Sequence, residues 1–138
     1  MSVTFTSDKW QDATVICNYC EDYGGDCTVC NNKRYCTTRQ PCGPSANFAN
    51  TNAREVLAML GLPSDDLYGE VANKDLGNVR QRILLVSNSE RRQITRPAEQ
   101  DGRCFVNGST TEDVKRRLAN LDAVLAWAQQ NGTNVSWG

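Results

Sequence analysis

Six of the seven cysteines fall between positions 17 and 42, in the run CNYCEDYGGDCTVCNNKRYCTTRQPC. Cys17, Cys20, Cys27 and Cys30 make two C-x-x-C pairs with six residues between them. Each pair can turn two thiolates toward one ion, and two pairs close a tetrahedral four-sulfur site with no position left for water. The chemistry expected of these four residues is structural zinc binding. The gap is shorter than the roughly 12 to 20 residues usual between the pairs of a zinc ribbon. Asparagines follow the second pair, at 31 and 32, where a metal turn often needs positive φ. Cys36 or Cys42 could replace a member of the second pair, or all six could share two ions. The six-cysteine binuclear pattern asks for C-x2-C-x6-C twice, and only the first half is present. Nothing in the spacing selects an iron–sulfur cluster. Cys104, beside Phe105, reads as a small buried hydrophobe.

The chain offers little for catalysis. Its 138 residues contain no histidine, which removes the commonest general base and the commonest ligand of catalytic zinc. Asp65-Asp66 and Glu112-Asp113 are better explained as charges at helix N-termini, and no phosphate-binding glycine loop is present. A redox C-x-x-C is expected where a strand runs into a helix, a context the sequence does not signal here. A non-enzymatic protein that acts by stoichiometric binding is the expectation.

Formal charge is −1, from 15 basic and 16 acidic residues, so no overall field draws the chain to nucleic acid or anionic membrane. In the cysteine window Glu21, Asp22 and Asp26 offset Lys33, Arg34 and Arg39, and four thiolates around Zn²⁺ add a formal charge of about −2. Tyr19, Tyr23 and Tyr35 therefore read as apolar cover over the metal loops rather than as stacking platforms for bases. A second constellation is basic. Arg80, Arg82, Arg91, Arg92 and Arg96, with Lys115, Arg116 and Arg117 further on, form the best candidate contact region for a protein partner. Their alternative use is binding nucleic acid or a nucleotide through phosphates, and the plainer reading is a solvated rim balanced by Glu90, Glu99, Glu112 and Asp113. The first residues, MSVTFTSDKWQD, lack the basic start and apolar run of a secretory signal, and no run approaches the length of a membrane span. A cytoplasmic protein with reduced cysteines is expected.

These groups need a frame. A single domain over 1–138 is expected, with residues 1–46 as cysteine-rich loops around zinc and residues 47–138 as a helical α+β core. Short strands are expected at Val3–Thr6 and Ala13–Ile16. A helix through AREVLAML should start at Asn50, Thr51 or Asn52 as cap and stop at Gly61. Leu76, Val79, Ile83 and Val86 recur at spacings of three and four, which predicts a helix from Lys74 to Val86 capped by Asn73; ILLVS as a strand is the alternative. Asp101-Gly102 marks a hairpin turn. From Thr111 to Asn131, Val114, Leu118, Leu121, Leu125 and Ala128 define a third helix, started by Ser109 or Thr110 and stopped by Gly132. The closing NVSW should form a strand or dock through Trp137. The fold class is thus α+β, three helices with a few short strands and a zinc-stabilised N-terminal loop module.

NFANTNAREVLAMLGL followed by DLYGE, the late LANLDAVLAWA and the closing VSWG together resemble small uncharacterised proteins of bacteria and their phages that carry C-x-x-C pairs near the N-terminus. The resemblance covers most of the chain and brings no activity with it. It implies a small modulator or inhibitor of host machinery.

Overall fold

Alternation in SVTFTS sends Val3, Phe5 and Ser7 to one side of the first strand, β1 (Ser2–Ser7), where all three are buried. The computed structural model describes residues 1–23, 27–88, 99–101, 104–106 and 110–138. β1 is followed by β2 (Trp10–Ile16), α1 (Asn18–Tyr23), β3 (Tyr35–Pro41), β4 (Ser45–Ala49) and α2 (Asn50–Met59). Next come β5 (Gly69–Val71), a 3-10 turn at Asn73–Asp75, α3 (Leu76–Ser87), β6 (Glu99–Asp101), β7 (Cys104–Val106), α4 (Thr111–Gln130) and β8 (Val135–Trp137). The chain is α+β. The six-residue α1 lies beyond the three helices that periodicity reveals, because it is too short to show a period.

The main sheet has the order β4-β1-β8-β5, with every neighbouring pair antiparallel. Its register aligns Ala46, Phe5, Trp137 and Gly69 in one row across all four strands. The two rings at the centre of that row stack, with centroids 5.6 Å apart, and Phe48 tilts onto Phe5 at 5.5 Å. Small residues flank the pair for a steric reason. A Cβ added to Gly69 would lie 2.5 Å from Cζ2 of Trp137. On the opposite face Asn47 donates to the hydroxyls of Thr4 (2.7 Å) and Ser2 (3.3 Å), so that face is polar.

The helices cover the apolar face. α4 lies on β1, β4 and β8, α2 packs on β4 and β1, and α3 packs against α4. Val114, Leu118, Leu121, Leu125 and Ala128 are all buried, as their spacing predicts, and Val124 joins them. Thr110 caps α4 with a reciprocal box. Its hydroxyl accepts the Asp113 N–H (3.2 Å), and the Asp113 carboxylate accepts the Thr110 N–H (3.1 Å). Gly61 stops α2 with φ +67°: the Leu62 N–H reaches the Leu57 carbonyl and the Gly61 N–H reaches that of Ala58, a Schellman ending. Gly132, with φ +65°, ends α4 in the same way through Thr133 and Ala128.

Two caps differ from expectation. α2 begins at Asn50 straight out of β4, with Ala49 at the cap position and no side-chain capping bond there. Asn73 caps no helix either. Its amide donates to the carbonyls of Ala128 (3.2 Å) and Thr133 (2.9 Å), satisfying the C-terminal end of α4, while its N–H donates to the Asn134 side chain (2.9 Å). Ile83–Ser87 is helical, within α3. β6 and β7 pair as expected of a hairpin around Asp101-Gly102, with Asp101 opposite Cys104. The side chain of Cys104 lies outside the described residues.

Gly69→Ala is expected to lose about 1–3 kcal/mol in urea unfolding, the usual penalty for overpacking. An unchanged midpoint would mean that the indole does not fill the space over Gly69. Acid stability carries a second expectation. Hydrogen bonds from the Thr110 N–H and hydroxyl, with Arg116 and Arg117 nearby, outweigh partial desolvation and hold the Asp113 carboxyl below its ordinary value of 3.8. A depressed folded-state value stabilises the fold above the unfolded value, and that stability is lost as pH falls through the folded one. Asp113→Asn should therefore be less stable at neutral pH and show a shallower loss below pH 3.8. A variant with the same acid profile as the parent would refute this.

Candidate metal centre

Between Ser7 and Ser45 the chain leaves the main sheet and returns to it, carrying the cysteines on a separate hairpin. β2 and β3 pair over seven positions, from Trp10↔Pro41 to Ile16↔Tyr35; the strand expected at Ala13–Ile16 is the end of β2, while β3 falls where the sequence suggested loops. Threonines, Val15, Ile16 and Tyr35 favour extended backbone, but the strands are exposed on both faces and so lack the alternation that marks a half-buried strand. The hairpin is tied down at its foot, where the Cys42 N–H donates to the Lys9 carbonyl (2.7 Å) and the Ser7 hydroxyl donates to the Cys42 carbonyl (2.8 Å).

At the far end of the hairpin the four predicted ligands come together. Cys17 follows β2 directly, and its N–H extends the ladder to the Arg34 carbonyl (2.9 Å). Cys20 lies in α1, its N–H donating to the Cys17 carbonyl (3.1 Å). Cys27 and Cys30 sit on the following turn. That turn is closed twice on itself: the Cys27 N–H donates to the Asn32 side chain (2.6 Å), and the Asn32 N–H donates to the Cys27 carbonyl (3.2 Å). Asn31 and Asn32 have φ of 51° and 63°, the conformation expected after the second pair. Arg34 shares it at 65°, without a sequence signal to announce it.

All four Sγ atoms lie within 4.8 Å of one another. Cys17 and Cys30 are buried, and Cys20 and Cys27 are half-buried. The Cys17–Cys27 and Cys20–Cys30 sulfurs are 3.8 and 3.3 Å apart. Four thiolates at about 2.3 Å from one tetrahedral ion would stand about 3.8 Å apart, so the cluster has the dimensions of a single-ion site. The four cysteines can hold a metal ion.

Crowding fixes the electrostatics. The hydrogen bond with Cys30, then burial, then the neighbouring Cys27 and Cys17 sulfurs drive the Cys20 thiol far above its ordinary value. Cys17 goes the other way. Burial raises it, but the Cys20 N–H and the thiols of Cys36 and Cys30 together outweigh burial and lower it. Cys36 is pushed up to about 11, first by its hydrogen bond with Cys17 and then by burial and the surrounding sulfurs. A divalent cation removes the conflict by letting the sulfurs ionise together, with release of protons.

The remaining cysteines separate clearly. Cys42 lies just past the end of β3, six residues from Cys36 and about 20 Å away at strand rise, at the wrong end of the hairpin. Cys36 belongs near the cluster, outside the set of four. Its register opposite Val15 is the signal that could have placed it, but only once the hairpin is known. Two expectations need correction. Tyr19 and Tyr35 do not cover the metal loops; they are 61% and 57% exposed. The strand-to-helix setting of the first C-x-x-C is also present, since Cys17 and Cys20 span the junction of β2 and α1.

Among the described arginines of the basic constellation, Arg80 and Arg82 are each engaged within the fold. Arg80 is bound to Asp122 (2.8 Å) and to Gln129 (3.0 Å), walling a surface cleft of about 290 Å³ between α3 and α4. Arg82 donates to the Leu60 carbonyl (2.7 Å) at the C-terminal end of α2, where a cation is favoured. Arg91, Arg92 and Arg96 lie outside the described residues. No helix of the described residues is long and apolar enough to cross a membrane. Neither family models, nor curated proteins, nor solved structures give a match to this chain.

Serine at Cys17, Cys20, Cys27 or Cys30 should abolish or sharply weaken metal retention through dialysis, while Cys42→Ser should retain it. Equal metal content in all five variants would dissolve the assignment. Chelation should accelerate amide exchange over residues 10–41 and leave α2 and α4 protected, because the main core draws on none of the four thiols.

Proposed function

We propose that this chain is a non-enzymatic zinc-binding protein, in which Cys17, Cys20, Cys27 and Cys30 hold one structural zinc ion and the module they organise binds a protein partner stoichiometrically. The spacing of the four sulfurs carries the reading. It suits one tetrahedral ion with thiolates in all four positions, a closed arrangement that leaves no site for a catalytic water. The absence of histidine from the sequence supports a site built from thiolates alone.

Binding is supported by what surrounds the ion. Ile16, Tyr19, Val29 and Tyr35 are each more than half exposed and gather at the cysteine end of the hairpin. Aromatic side chains held rigidly at a surface supply large contact area at little cost in side-chain entropy. The module would present this surface, with zinc fixing its shape. A modulator or inhibitor of host machinery, of the kind the sequence resemblance implies, would work in this way. A second reading has its own observation. Exposed Tyr19 and Tyr35 stand beside exposed Lys33 and Arg34, a combination that serves single-stranded nucleic acid.

Elemental analysis of purified protein is expected to give one zinc per chain. Iron in its place, or metal-free protein with bridged cysteines, would sink the zinc reading. Ile16→Ser with Tyr35→Ser should keep zinc and lose a partner captured from host lysate by tenfold or more, as about 2 kcal/mol at an interface anchor implies. Capture abolished by nuclease, or falling steeply with salt, would favour the nucleic-acid reading.

A further inference from the structure

Cys36 is left without a role by a four-cysteine ion. It lies opposite Val15 in the β2–β3 ladder, and the ladder continues one step beyond β2 with the Cys17 N–H on the Arg34 carbonyl. Val15 and Cys17 are two residues apart on one strand line, so their side chains leave the same face of the hairpin. Cys36 is therefore the diagonal neighbour of Cys17, about 7 Å away between Cα atoms. At that register the Cys36 side chain stands beside that of Cys17 on the same face of the strand pair. Cys36 is half-buried and Cys17 is only 2% exposed, so the thiol outside the ligand set is the more accessible of the two.

We propose that Cys36 is a redox site of the metal centre, at which a hydroperoxide oxidises the free thiol and Cys17 then closes a Cys17–Cys36 disulfide that releases the ion. The inference rests on the zinc reading. In the first step a bond forms between the Cys36 sulfur and a peroxide oxygen, the O–O bond breaks, and the thiol proton leaves with the displaced hydroxide as water. Cys36 becomes a sulfenic acid. In the second step the Cys17 thiolate attacks that sulfur; the S–S bond forms, the S–O bond breaks, and hydroxide departs. The two sulfurs together give up two electrons and the peroxide oxygens accept them. A zinc ion held by the four cysteines would thereby lose one of its ligands. A Cα separation near 7 Å is at the long end for a disulfide, so closure also draws the end of β2 toward β3 and away from Cys20, Cys27 and Cys30.

Tryptic cleavage isolates the participants. Cys36 is alone in Tyr35–Arg39, the four ligands share Trp10–Lys33, and Cys42 falls in Gln40–Arg54. Zinc-loaded protein would be treated with hydrogen peroxide, alkylated and mapped by mass spectrometry, with zinc release followed by a chromogenic chelator. The expected product joins Tyr35–Arg39 to Trp10–Lys33 through Cys17, appears in step with zinc release, and is reversed by a dithiol. C36S should be purified with its full zinc and release it several-fold more slowly, while Cys42→Ser should behave as the parent. Release from C36S at the parent's rate, or bridges confined to Trp10–Lys33 with Cys36 alkylated, would overturn the proposal. C36S purified without zinc would overturn it too, by making Cys36 a ligand. Parent protein without zinc would bring down the zinc reading itself.

Discussion

The pairing of β1 with β8 is the constraint on which the rest depends. Phe5 lies opposite Trp137, and Thr4 and Gly138 exchange backbone hydrogen bonds beyond the last paired residue. Only through β8 is β5 attached to the sheet, and only with Trp137 in place does the central row Ala46-Phe5-Trp137-Gly69 fill. The indole sits there with its N–H buried and without a partner, at a desolvation cost of about 1–3 kcal/mol. Burial of its ring area against Phe5 has to exceed that cost. The paired strands are separated by nearly the whole sequence, so the sheet closes through a contact of very long range.

The cysteine hairpin is held by different physics. Its strands are exposed, and the sulfurs at its tip crowd together in a way that opposes ionisation unless a cation is present. The backbone ladder holds the strands there without apolar burial, and the four sulfurs at the tip could hold a metal ion. The hairpin meets the sheet at Ser7, Lys9 and Cys42, a narrow base for a long projection. Such an arrangement separates the stability of the hairpin tip from that of the main core.

Several polar residues that invite a functional reading are absorbed by the fold. Arg80 neutralises Asp122, Arg82 closes the carbonyl end of α2, and Asn73 satisfies the carbonyl end of α4. Arg82 and Asn73 thus serve carbonyls at helix ends that have no partner within their own helix. The arrangement shifts attention from the α3 arginines to the hairpin, where Ile16, Tyr19, Val29 and Tyr35 are exposed around the sulfur cluster.

The sequence by itself determined what depends on local spacing. Two C-x-x-C pairs dictated which four thiols meet, because each turn aims its own pair and a short link brings the pairs together. The apolar stripe of α4, its capping box at Thr110 and the glycine stops at 61 and 132 were legible for the same reason, as interactions within a few residues. Tertiary structure alone decided the rest. Asn73 looked like a cap until the end of α4 offered it better acceptors 55 and 60 residues away. Tyr19 and Tyr35 looked like cover until the hairpin turned them to solvent, and Cys36 found its place only when register set it diagonal to Cys17. Strand register and long-range partner choice are settled by competition among distant groups, and a local pattern carries no record of who wins.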